Sequence, residues 1–247
     1  MEIKSFIKNE KGNSALLVMG LLSVMMILFV LVLNFAGALV VKEQAMSTSQ
    51  QAALAATATL YEELPIFINK YEKELKEMLE EEKEKEEDKE DEKEDEEEKE
   101  NPEEDKGFGE LVADKSDEIS GSMSGYSYNE IRNEAVDRVL SKELDRALGE
   151  GLLKNKMIEE MEHSWIKDMK ESARATILAN GGELEGAEMI VFDDGQVVVK
   201  SSHEAESSGY SGFFSGISEN LYKTSKGPEL KFVQKISAWE GKTYSLE

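Results

Sequence analysis

The chain has no cysteine, three prolines, two histidines and few aromatic residues. Without cysteine there is no disulfide, no thiolate zinc site and no cysteine nucleophile. So little proline leaves room for long unbroken helices. Basic residues are also scarce: 29 lysines and arginines face 53 acidic side chains, a formal charge of -24 over 247 residues. Nucleic acid and anionic surfaces repel such a chain, so nucleic-acid binding is excluded as a leading function. The most informative shortage is local. Between Lys11 and Lys42 there is no charged residue at all.

That stretch, "GNSALLVMGLLSVMMILFVLVLNFAGALVV", is interrupted only by Ser23 and Asn34 once Ser14 is passed. A spanning helix needs about 20 apolar residues to cross about 30 Å of hydrocarbon. A cleavable signal has an apolar core of only about 7–15. Ala36-Gly37-Ala38 has the small-x-small form of a cleavage site, but Leu39, Val40 and Val41 carry the apolar run past it. Residues 14–41 therefore read as a retained membrane span, with the lipid bilayer as its first partner. Lys4, Lys8 and Lys11 precede it, and the positive-inside bias places residues 1–13 in the cytoplasm and the remainder outside. Asn34 and Gly37 form the polar and small positions through which this helix could pair with another.

From Val40 to Leu64 there is neither glycine nor proline. Ala45, Ser49, Ala52, Ala53, Ala56, Leu60 and Leu64 recur every three or four residues, which puts small side chains on one helical face. Residues 42–64 read as a helical stem, ended by Pro65. Its narrow face suits a neighbouring helix, with Ala45, Ala52 and Ala56 as contacts, or the chain's own body. Residues 65–79 form a short amphipathic segment.

Residues 80–106 are an acidic low-complexity tract with 19 acids and six lysines. From Glu80 to Glu100 no apolar residue occurs, so nothing there can be buried to offset the entropy of ordering. Calcium loops need a glycine turn at a fixed position, and the tract has no glycine before Gly107. It reads as a charged spacer capable of weak cation association or of meeting a basic partner.

Residues 107–247 have globular composition. Ser127 and Glu130 have capping-box spacing ahead of an amphipathic helix reaching Leu148. A second helix spans 152–179, with Ile158, Met161, Trp165, Met169, Ala173 and Ile177 as its stripe and Asn180-Gly181-Gly182 as its stop. "EMIVFDDGQVVVK" reads as two strands around an Asp194-Gly195 turn. A Gly/Ser-rich loop follows, with Phe213 and Phe214 as aromatic contact candidates. "ELKFVQKISAW" reads as a third strand, and 243–246 as a short fourth. The class is α+β: a long N-terminal helix with its stem, an acidic insertion, then helices packed on a small antiparallel sheet.

No catalytic constellation emerges. His163 follows Glu159 and Glu160 at helical spacing but lies off the stripe, and His203 beside Glu204 lacks a third ligand. Asp193 and Asp194 fit a turn. No phosphate-cradling glycine pattern and no G-x-S-x-G elbow is present. No catalytic, cofactor or metal residue is assigned.

The basic N-terminus, "EKGNSALLV", the apolar run and the Gln/Ala-rich "QQAALAATA" together resemble the N-terminal region of the TadE/TadG-like Flp pilus-assembly proteins. Gly12-Asn13-Ser14 and Ala52–Ala58 carry the resemblance, and the valine-strand and aromatic-glycine pattern of the C-terminal half adds to it. Pilin-like precursors of this kind carry Glu five residues after the processed glycine; here that position is Leu17. The TadG-like side, which keeps its anchor, is the better match. The resemblance implies a non-enzymatic component of a pilus or secretion assembly, with other membrane subunits of that assembly as partners.

Overall fold

A computed structural model describes residues 10–87, 106–145, 150–206 and 218–247. Its backbone is one very long helix with a helical and β body packed along its C-terminal half. Helix α1 runs unbroken over Glu10–Glu87, 78 residues. Pro65 therefore does not end the stem, and the boundary between stem and amphipathic segment is not a break. The proline costs a hydrogen bond and a steric clash, about 3 kcal/mol. Leu60, Tyr61, Leu64, Ile68 and Tyr71 on either side of it are all buried. At roughly 1.5–3 kcal/mol for each large apolar side chain buried, packing wins over local propensity.

Helix α2 (Phe108–Ser120) has no counterpart in the sequence reading. Helix α3 (Tyr128–Leu144) does, and the Ser127 capping box is formed. The Ser127 N–H donates to Glu130 Oε2 at 2.7 Å, and the Glu130 N–H donates to Ser127 Oγ at 3.3 Å. The next helix is one continuous rod of three parts: α4 (Glu150–Glu160), a π-turn (Met161–Trp165) and α5 (Ile166–Ala179). Its expected stripe is its buried face from Met161 through Trp165, Met169 and Ala173 to Ile177; Ile158 is only half-buried, and Leu153 and Met157 hold the buried places before Met161. It ends in a Schellman motif: the Gly182 N–H donates to Ile177 O at 2.9 Å and the Gly181 N–H to Leu178 O at 3.0 Å, with Gly181 at φ 73°.

The sheet is antiparallel with strand order β3-β2-β1-β4, built from β1 (Glu183–Asp193), β2 (Gln196–Glu206), β3 (Ser218–Glu229) and β4 (Lys242–Ser245). Asp194 and Gly195 both have positive φ, as a tight primed turn requires. Phe192 also has φ 56°, an uncommon state for a buried aromatic. A register shift in β1 places it there, and its carbonyl accepts the Gly241 N–H at 3.1 Å.

The expected strand over "ELKFVQKISAW" is corrected. That segment is two 3₁₀ turns, Lys231–Lys235 and Ser237–Trp239. Val233, Ile236 and Trp239 recur every three residues, the 3₁₀ period, and all three are buried. The actual third strand is β3, "SENLYKTSKGPE", which is largely polar and holds Gly227-Pro228. It is an edge strand, where a proline is tolerated.

The sheet packs on α1 and α5. At the centre is an aromatic group: Phe67 and Trp165 meet edge to face at 5.2 Å, as do Trp165 and Trp239 at 6.4 Å, and Phe192 lies tilted against Trp239 at 5.7 Å.

Candidate functional site: the apolar stem and its seam with the sheet

The N-terminal half of α1 stands clear of the body. Large apolar side chains from Leu16 to Val40 are exposed, most by half or more. This one helix is long and apolar enough to cross a membrane, and its apolar window is 0% buried by the rest of the protein. Residues 14–41 extend about 42 Å at 1.5 Å per residue, close to a full bilayer with its headgroups.

The first buried residue is Ala45, four residues past Val41. No spacer intervenes: the helix enters the body about 6 Å after the apolar run stops. Ala45, Ala52, Ala53 and Ala56 are all 0% exposed, packed beneath the sheet. Ala45, Ala52 and Ala56 are thus closed to a partner helix, and the contact expected of them is made within the chain. Their small size lets strands and helix approach closely. A Cβ at Gly227 would lie 2.8 Å from Thr57 Oγ1 and 3.3 Å from the Ala53 carbonyl. Gly227→Ala is expected to destabilise the chain by about 1–3 kcal/mol, the usual cost of overpacking. Thr57→Ala in the same chain should return part of the loss, measured by urea unfolding; no rescue would mean that the contact is not the cause.

Polar groups line this seam. Thr48 Oγ1 lies 2.8 Å from His203 Nε2, and both residues are buried. Ser49 Oγ lies 2.8 Å from Ser201 Oγ and 2.8 Å from both the Ala45 and Lys223 carbonyls. Its single proton goes to one of the carbonyls, which leaves the Ser201 hydroxyl to donate. The Ser225 hydroxyl donates to the Met46 carbonyl at 3.1 Å. These bonds satisfy groups that burial would otherwise penalise, and they fix the register of helix on sheet. His203 lies inside β2 rather than after it and is a seam residue. Thr48 and Ser201 were not legible as site residues, since polar residues on a stem and a strand carry no sign of burial.

Asn34 and Gly37 lie in the exposed half of α1. A Cβ added at Gly37 would meet nothing within 4 Å, and Asn34 Oδ1 has no hydrogen-bond partner among the described residues. Gly37 is open to a second helix, whereas Asn34 is only partly exposed and its Oδ1 is buried. Phe213 and Phe214 lie outside the described residues, as does most of the acidic tract. His163 is exposed on the π-turn, beside a cleft of about 250 Å³ lined by Phe67, Tyr71, Lys156 and Glu159. Among the described residues no three His, Asp or Glu side chains are grouped to hold a metal ion.

One buried acid stands apart. Asp137 is 1% exposed. Its Oδ1 accepts the Phe232 N–H at 2.9 Å and anchors the first 3₁₀ turn to α3, while Oδ2 has no partner among the described residues. Burial holds its carboxyl above the ordinary range; the Phe232 N–H and Lys231 pull it back, and Glu134 adds to the rise. A carboxyl raised in the folded state favours folding below its unfolded pKa and loses that contribution as pH rises through the folded value. Asp137→Asn keeps an oxygen for Phe232 and removes the charge. It is expected to stabilise the chain by on the order of 1 kcal/mol at neutral pH, with the gain vanishing below about pH 4. Urea midpoints at the two pH values measure this; an equal effect at both would refute it.

No family model matches the chain, and neither a curated protein nor a solved structure matches it.

Proposed function

We propose that this chain is a non-enzymatic, single-pass membrane protein whose C-terminal body is exported, and that it serves as an accessory or structural component of a Tad/Flp-type pilus or related secretion assembly. The observation that carries the reading is the continuity of α1, which passes from an exposed, uncharged apolar segment straight into the core of the body. A helix of that kind cannot be solvated in water without a large apolar penalty, and it holds whatever is packed on it at the bilayer surface. The basic N-terminal flank favours a cytoplasmic start and an outer body. The resemblance of "EKGNSALLV" and "QQAALAATA" to TadE/TadG-like proteins supports the assembly role.

Its mechanism is mechanical. The span retains the chain, Asn34 and Gly37 offer a pairing face within the bilayer, and the body presents its outer surface to other subunits. Protease added to intact cells, together with a C-terminal tag, tests the topology: the tag is digested if the body lies outside and survives if it does not. Cysteine cross-linking at Asn34→Cys in native membranes tests the pairing. A conjugate to another single-span subunit of the assembly supports the role; recovery of uncross-linked chain alone counts against it.

A further inference from the structure

We propose that the cleft between α1 and the α4–α5 rod binds a small zwitterion, a free α-amino acid with an apolar side chain. The site is independent of the membrane reading, because its lining residues all lie beyond residue 66.

The two helices run antiparallel here. Lys156 Nζ donates to Glu74 Oε2, and seven residues earlier on α1 Phe67 meets Trp165 edge to face at 5.2 Å. These contacts close the two ends, about 10 Å apart along α1. Between them the walls stand apart around a volume of about 250 Å³. Pockets for drug-sized ligands run from about 300 Å³ upward, so this one suits a smaller molecule. Lys70 and Tyr71 line it from α1, and Glu159, Glu160 and His163 from the rod.

The Tyr71 side chain is buried, 6% exposed, yet its hydroxyl has no partner among the described residues. Buried hydroxyls are nearly always bonded, so an orphan one on a cleft wall marks a place for a ligand's polar group. Burial raises the phenol above its ordinary range, against a downward pull from the Lys156 ammonium. The hydroxyl therefore sits near a cation of the cleft and remains a proton donor at neutral pH.

The charges on the two walls are opposite and unjoined. Among the described residues no ion pair links Lys70 to Glu159 or Glu160. A zwitterion bridges them: its carboxylate meets Lys70 and the Tyr71 hydroxyl, and its ammonium meets Glu159 and Glu160. A simple anion would face two carboxylates there, and a simple cation would face Lys70. The part of Phe67 left uncovered offers the apolar contact for the ligand's side chain. His163 belongs to the π-turn, and π-turns inside α-helices frequently mark functional sites. At its start the Ser164 hydroxyl donates to Glu160 Oε1 at 2.8 Å, which holds that carboxylate in place.

Titration calorimetry on the full chain in detergent micelles tests this with three probes: L-leucine, L-leucinamide, which lacks the carboxylate, and N-acetyl-L-leucine, which lacks the ammonium. L-leucine should bind saturably, and each analogue at least about tenfold more weakly, the usual loss for one charged contact. Tyr71→Phe should weaken L-leucine several-fold while its urea midpoint stays the same or rises, because the hydroxyl removed has no partner within the body. Absence of saturable heat with L-leucine at millimolar concentration overturns the proposal. L-leucinamide binding as tightly as L-leucine would show a cation site, and N-acetyl-L-leucine doing so an anion site; either result overturns the zwitterion. Undiminished L-leucine binding by Tyr71→Phe would place the ligand outside this cleft.

Discussion

Replacing Met25, Leu28 and Leu31 together by lysine is expected to shift the protein from a carbonate-resistant membrane fraction to a released one. On insertion scales a charged residue near the centre of a spanning helix costs about 2.5–3.5 kcal/mol, so three cost roughly 8–10. Apolar residues contribute only about 0.3–0.6 kcal/mol each on the same scale, so a 20-residue core supplies on the order of 6–12. The substitution thus removes essentially the whole advantage of insertion. All three side chains are exposed, by 62%, 56% and 49%, so the body is expected to fold as before. Alanine at the same three positions should leave the chain membrane-bound. Retention of the triple-lysine chain, with its body folded, would mean that something other than the apolar segment holds it, and the anchor reading would fail.

Trp165→Ala should cause the largest loss of stability of any single truncation in the body. Trp165 is 1% exposed, meets Phe67 on α1 and Trp239 in the second 3₁₀ turn, and is the last residue of the π-turn. Removing it empties the junction of the long helix, the α4–α5 rod and the sheet. Buried Trp→Ala changes cost about 3–5 kcal/mol, from lost transfer energy plus the cavity left behind. Because whole-domain stability is about 5–15 kcal/mol, the variant should unfold at far lower urea. Trp239 remains as the sole tryptophan reporter of unfolding. A loss under about 1 kcal/mol would show that the aromatic group is not the centre of the core. Trp165→Phe should recover much of the difference, since edge-to-face contact with Phe67 needs only a ring.

These two outcomes lie on different levels of the chain's logic. The first follows from composition alone, because partition into lipid depends on how many apolar residues are adjacent and not on what they later touch. The second needs the fold. The sequence places Trp165 on a stripe, but not opposite Phe67, nearly a hundred residues earlier and beyond the acidic tract.

The same division runs through the molecule. The apolar segment, the capping box at Ser127 and Glu130, the stripe from Met161 to Ile177, the glycine stop at Gly181 and Gly182 and the Asp194-Gly195 hairpin were all written in the sequence. Each depends on a local rule: the period of a helix, the donors at its ends, or the sign of φ in a turn. Tertiary structure decided the rest. Whether the alanine face met a foreign helix or the chain's own sheet was open, because Ala45, Ala52 and Ala56 permit close approach by either. Pro65 sits within a helix because buried neighbours on both sides outweigh one lost hydrogen bond. Strand β3 forms from polar residues because β2 offers it a partner and Gly227 lets α1 come near. Segment 231–239, apolar enough for a strand, coils instead, since a three-residue period brings Val233, Ile236 and Trp239 to one side of the core. Local rules fix what a few neighbouring residues can do; only the packed body fixes which distant surface each of them meets.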